Sequence, residues 1–269
     1  MSTIGFIGSG NMAEALIKGI ISAKVYQPEN IMVSDIKQER LEFIAGKYDV
    51  KVSRDNRKLA SNVETIVLSV KPQNMNDVLE AIKDSIGSVK LVISIAAGIK
   101  VEKIASVLGD IAIIRVMPNT PALIGEGAAA LFANEKAKKL IDEALTIFSS
   151  VGKAVIVEDE RLIDAVTAVS GSGPAYFFLL MEEMIKAGVE LGLPEDTAKE
   201  LVLQTAKGAG LLASQADKAG ESPAILRKKV TSPGGTTEAA LKSFAEGNFD
   251  SLVSAALKRA CDRSKELSA

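Results

Sequence analysis

Thr3-Ile4-Gly5-Phe6-Ile7-Gly8-Ser9-Gly10-Asn11-Met12-Ala13 runs from a short apolar stretch into the first turn of an amphipathic helix. The pattern Gly8-x-Gly10-x-x-Ala13 lies between the two, and that placement decides the fold. A glycine-rich turn is a common structural device by itself. Between a first strand and a helix, with a second β-branched run at Ile31-Met32-Val33-Ser34, it reads as a dinucleotide-binding loop. The first glycine permits the tight turn, the second lets backbone approach a pyrophosphate, and Ala13 lets the helix pack closely on the strand. A diphosphate would then rest on the exposed amides of the helix N-terminus.

Outward from this loop, apolar runs at residues 65–70, 91–95 and 111–116 alternate with helical patterns such as residues 12–22 and 73–83. Continuously apolar strands separated by amphipathic helices mean a parallel sheet covered on both faces, a doubly wound α/β domain. Further strands near residues 128–132 and 154–157, with a helix between them, complete it. After Glu158 the strand signal stops. The rest reads as helices over residues 160–169, 174–191, 194–213, 223–230, 236–244 and 250–267. The expected division is therefore a dinucleotide-binding Rossmann-type domain over residues 1–158 and an all-α domain over 159–269.

In the longest of these helices Phe177, Met181, Met184, Gly188 and Leu191 recur at spacings of three and four. One face is apolar. With many small residues on the neighbouring helices, this predicts close packing across a subunit boundary and a homodimer formed through the second domain.

Composition narrows the function. The 269 residues are 47% hydrophobic and 25% charged, with a net charge of −2, so no basic field exists to hold nucleic acid or an anionic membrane. The longest apolar stretch, residues 91–99, is short of a bilayer span, and the N-terminus lacks a basic leader pattern, which predicts a cytoplasmic protein. The chain has no histidine and one cysteine, Cys261, read as a small packing residue. Ser-His and Cys-His couples, imidazole acid/base chemistry and His-bearing zinc sites are excluded, and no metal site is expected.

Asp35, at the end of the second strand, is placed to grip a ribose 2′-hydroxyl and repel a 2′-phosphate, which favours NADH. Lys37, Arg40, Ser34 and Asn56 offer partners that a phosphate could use, so both NAD(H) and NADP(H) stay open. Val70-Lys71-Pro72 and Ala96-Ala97-Gly98 end central strands at the carboxyl edge, where ligands of open α/β sheets bind. In the helical half, Ser170-Gly171-Ser172-Gly173-Pro174-Ala175-Tyr176 and Ser232-Pro233-Gly234-Gly235-Thr236-Thr237 each read as a small-residue loop opening a helix. Capping alone accounts for one such loop. Two of them also suit a carboxylated substrate, because amides at a helix N-terminus favour an anion.

Together with Val70-Lys71-Pro72-Gln73, Met117-Pro118-Asn119-Thr120-Pro121 and Ile163-Asp164-Ala165-Val166-Thr167, these segments resemble the pyrroline-5-carboxylate reductase family from end to end. The resemblance implies NAD(P)H-dependent reduction of a cyclic imine to proline, by hydride transfer to its C5 carbon. It implies a cofactor held by Ile7, Gly8, Ser9, Gly10, Asn11, Met12, Ser34, Asn56, Val70, Lys71, Pro72, Ala96 and Ala97. It also implies a substrate held at Ser232, Gly235, Thr236 and Thr237, with the Thr237 hydroxyl acting on the ring nitrogen, and intertwined dimers that can assemble into a ring. Two alternatives remain. One is a hydroxyacid dehydrogenase using a lysine such as Lys186, Lys207 or Lys242; the other is a dinucleotide sensor without catalysis.

Overall fold

Four strand residues, Ile4–Ile7, are buried on both faces, as their unbroken apolar run requires. The computed structural model describes residues 2–87 and 89–268. It contains strands β1 (Ile4–Ile7), β2 (Ile31–Ser34), β3 (Lys51–Ser53), β4 (Thr65–Leu68), β5 (Leu91–Ser94), β6 (Ile113–Met117), β7 (Gly127–Ala133) and β8 (Gly152–Ile156). They form one sheet in the order β3-β2-β1-β4-β5-β6-β7-β8. Every neighbouring pair is parallel except β6 with β7. The order reverses direction between β1 and β4, the arrangement of a doubly wound fold.

Helices α1 (Asn11–Ser22), α2 (Gln38–Tyr48), α3 (Asn56–Ala60), α4 (Met75–Ile82), α5 (Val101–Leu108) and α6 (Ile141–Ser149) belong to this sheet. The two-residue period of the strands sorts them into layers. Ile4, Phe6, Val67 and Ile93 point to one face and pack with Leu16 and Ile20 of α1, Ile44 of α2 and Phe148 of α6. Ile7, Ile66, Leu68 and Val92 point to the other and pack with Leu59 of α3, Leu79 of α4 and Ile104 of α5. Each such large side chain contributes about 1.5–3 kcal/mol on burial.

Two details differ from the sequence reading. β3 has no apolar run because it is the edge strand, with Lys51 and Val52 exposed. Arg115 sits fully inside β6, where Glu160 Oε1 accepts from its guanidinium at 3.0 Å and from the Val101 N–H at 2.8 Å. The shared carboxylate compensates the buried cation and caps α5 as well.

The remaining helices are α7 (Leu162–Val166), α8 (Gly173–Glu190), α9 (Glu195–Asp217), α10 (Pro223–Lys229), α11 (Thr236–Glu246) and α12 (Phe249–Leu267). Between α7 and α8 the sequence reading expects a loop, and the structure corrects it: Thr167–Gly171 is a wide π-turn that fuses the two into one helix, Leu162–Glu190. Pro174 has no N–H to give the Ser170 carbonyl, which accepts instead from Asn119 Nδ2 at 3.1 Å. The Ser172 N–H goes to the Thr167 carbonyl at 2.8 Å, so this segment presents no open helix N-terminus of the expected kind. The fused helix is long and apolar enough to cross a bilayer by length and composition, which no single apolar run in the sequence foreshadows.

By contact, the chain forms one compact unit of Met1–Pro174 with Arg259–Ala269 and another of Ala175–Lys258. The boundary read from sequence follows the end of the strand signal. Contacts follow hydrogen bonds: buried Ser264 of α12 donates to buried Asp164 of α7 at 2.6 Å, within the first unit.

Candidate functional site

The parallel register brings the carboxyl ends of four strands level. Ile7 lies opposite both Ser34 and Leu68, and Leu68 lies opposite Ser94. The loop after β1, Asp35, Val70-Lys71-Pro72 and Ala96-Ala97 therefore leave one edge of the sheet together. Gly8 has φ +96°, and a Cβ there would meet the Ser69 carbonyl oxygen at 2.7 Å. Its N–H donates to the Ser34 carbonyl at 2.8 Å, while Ser69 Oγ donates toward the carbonyls of Ile7 and Gly8 at 3.0 and 2.7 Å. The turn is thus held from both neighbouring strands.

Gly10, the N-cap of α1, lies exposed; nothing would come within 4 Å of a Cβ on it, and no side chain caps the helix. The open surface over an uncapped helix N-terminus fits the diphosphate of a dinucleotide. Ser9, between the two glycines, is fully buried. Its N–H and hydroxyl donate to Asp35 Oδ2 at 2.8 and 2.7 Å, and its carbonyl accepts from Arg40 Nε at 2.6 Å. Ser34 Oγ donates to Asn56 Oδ1 at 2.7 Å, joining the end of β2 to the start of α3.

Residues 232–237 lie in the second compact unit. Gly234 takes φ +72°, and the Gly235 N–H closes a turn onto the Ser232 carbonyl at 3.0 Å. Gly235 is the N-cap of α11 and offers no side chain, so Thr236 and Thr237 form the first turn of an uncapped helix. Thr237 is half-buried, and Ser232 and Thr236 are exposed. Glu238 reaches back to accept the Gly234 N–H at 2.7 Å.

A family model described as "Pyrroline-5-carboxylate reductase dimerisation" matches residues 160–267, and one described as "NADP oxidoreductase coenzyme F420-dependent" matches residues 3–98. A pyrroline-5-carboxylate reductase of Pseudomonas aeruginosa is 46% identical over 99% of this chain and 98% of its own length. The chain belongs to the pyrroline-5-carboxylate reductase family. Among solved structures, a pyrroline-5-carboxylate reductase from Coxiella burnetii has a TM-score of 0.93 at 42% identity and covers 100% of this chain and 99% of its own. A pyrroline carboxylate reductase of Plasmodium falciparum with NADP bound has a TM-score of 0.87 at 33% identity and covers 100% and 98%.

Pyrroline-5-carboxylate reductase membership bears on the residues read from sequence. Ile7, Gly8, Ser9, Gly10, Asn11, Met12, Ser34, Asn56, Val70, Lys71, Pro72, Ala96 and Ala97 all lie in the first unit; Ser232, Gly235, Thr236 and Thr237 all lie in the second. The lysines of the dehydrogenase alternative, Lys186, Lys207 and Lys242, are exposed. Sequence reading gave no role to Ser69, Asn119 and Glu238, which hold backbone in place. Asn119 accepts the Ala128 N–H at 2.8 Å as well as donating to Ser170, so it links two of the motif segments. For Glu238 a signal existed, an acidic residue at the third helical position, the usual capping site.

Proposed function

We propose that the chain reduces pyrroline-5-carboxylate to proline with NADH or NADPH, the last step of proline biosynthesis. The observation that carries this reading is the conjunction of family membership with an uncapped α1 over an open Gly10 at the carboxyl edge of the sheet. When bound, the reduced nicotinamide supplies the hydride that, with one proton, turns the C=N bond into a secondary amine and leaves oxidised cofactor.

The chain's own residues bind and orient. The loop of Ile7, Gly8, Ser9, Gly10, Asn11 and Met12 receives the diphosphate, Ser34 and Asn56 stand at the ribose, and Val70, Lys71, Pro72, Ala96 and Ala97 line the crevice. The Thr236 and Thr237 amides take the substrate carboxylate on the helix dipole of α11, with Ser232 and Gly235 shaping the turn that presents them. The Gly235 amide already closes that turn, so it adds little to the carboxylate. Thr237 Oγ1 hydrogen-bonds the ring nitrogen and orients the ring. A cyclic imine carries an appreciable iminium fraction near neutral pH, so a chain without histidine needs no strong acid here.

We assign residues 1–158 to cofactor binding and 159–269 to substrate binding and dimer formation, in the cytoplasm. The long apolar face of Leu162–Glu190 is then covered by a second copy, with a ring of dimers as the larger assembly. Purified protein given pyrroline-5-carboxylate and either reduced cofactor should form one proline per cofactor oxidised. Cofactor binding without proline formation would favour the sensor reading.

A further inference from the structure

In a doubly wound sheet the adenosine ribose of a dinucleotide falls at the carboxyl end of the second strand. Asp35 occupies that place in this chain, half-buried directly after Ser34. Three protein donors fix its carboxylate: the Ser9 N–H and hydroxyl on Oδ2, and the Lys37 N–H on Oδ1 at 3.0 Å. Burial opposes ionisation, but these donors outweigh it and hold the carboxyl below its usual range. An anion stands there at neutral pH.

Arg40, in the first turn of α2, is the cation that could offset Asp35 or clasp a 2′-phosphate. Two of its three guanidinium nitrogens are engaged within the protein. Its Nε is on the Ser9 carbonyl, and its Nη2 is paired with Glu14 of α1. The Glu14 carboxylate also accepts from Lys47 and from the Tyr48 hydroxyl, each at 2.9 Å. These two contacts hold the guanidinium on the cofactor loop and on the joint between α1 and α2. Lys37, the other cation of the segment, is exposed, where water and salt screen it.

We propose that Asp35 selects the coenzyme and makes this chain prefer NADH to NADPH. Its carboxylate accepts the ribose 2′-hydroxyl, since its oxygens have lone pairs beyond those that Ser9 and Lys37 use, and it repels a 2′-phosphate. The inference rests on the dinucleotide reading above and decides between the two cofactors that reading admits.

The test is a binding titration of the whole protein with NADH and, separately, NADPH, without substrate, followed by the cofactor's own fluorescence. The chain has no tryptophan to interfere. NADH should bind at least about tenfold more tightly. Asp35→Asn keeps an acceptor for Ser9 and removes the charge; it should change the affinity ratio by roughly ten- to a hundredfold in favour of NADPH. Lys37→Ala should leave the ratio within about twofold. Equal or tighter binding of NADPH by the unaltered protein overturns the proposal. So does an unchanged ratio in Asp35→Asn, the result expected if Asp35 only supports the loop. A selective loss of NADPH binding in Lys37→Ala overturns it too, by revealing a phosphate clamp. Failure to bind either cofactor overturns the dinucleotide reading itself, a result distinct from a wrong ratio.

Discussion

At Gly8 the backbone has a left-handed φ, and any side chain would run into the Ser69 carbonyl. Gly8→Val should therefore displace the loop and abolish binding of both cofactors, which a fluorescence titration reads, while circular dichroism shows the helices intact. Retained binding would move the diphosphate elsewhere. Under the role proposed for it, Thr237→Ala should lower kcat about ten- to a thousandfold and spare cofactor affinity. Unchanged turnover would remove Thr237 from the chemistry. Gly8 was legible in the sequence, since glycine in a strand-to-helix turn is a local pattern, whereas the role proposed for Thr237 comes from the family resemblance. Arg115 was not. A cation inside an apolar strand makes sense only once Glu160, distant in sequence, is seen to meet it.

Elements show the same limit. Helix α1 was readable from its apolar periodicity, but the charged joint between it and α2 was not, because Glu14 meets residues more than twenty positions away. Burial pushes the Glu14 carboxyl up, and the hydrogen bonds from Arg40, Lys47 and Tyr48 outweigh it, holding it at about 2 against an ordinary 4.5. A depressed carboxyl stabilises the fold above its ordinary value and loses that contribution as pH falls toward the folded one. Glu14→Gln should thus destabilise the protein by about 1–3 kcal/mol at neutral pH. In denaturant titrations the difference should shrink from pH 4.5 toward pH 2; a constant difference would contradict the role. The fused helix of α7 and α8 is a second case. Gly171 and Pro174 read as a break, and Asn119 is the group that makes continuity possible by taking the carbonyl that proline leaves free. Asn119→Leu should cost about 1–3 kcal/mol by stranding that carbonyl and the Ala128 N–H. Unaltered thermal stability would show that water replaces the side chain.

For the whole molecule, the first unit has a dense two-layer core, whereas within Ala175–Lys258 the buried apolar residues are Ala198 and Val202. Phe177, Phe178 and Leu211 remain more than half exposed in the single chain. A unit so open is not stable through its own core, and apolar faces of this extent mark a protein partner. Replacing Phe177 and Met184 together by Asp should shift the assembly to monomers in light scattering and lower its melting temperature; an intact dimer would place the interface on another face. Sequence periodicity revealed the apolar stripe of α8, but no pattern within one copy describes what covers it. The proposed reaction is hydride transfer from a nicotinamide to the imine carbon. The direct measurement uses reduced cofactor carrying deuterium at both C4 positions of its nicotinamide, pyrroline-5-carboxylate, and mass and NMR analysis of the product. Proline with deuterium at C5 is the expected product; proline without deuterium, or no proline while the cofactor binds, would rule out hydride transfer to the imine carbon.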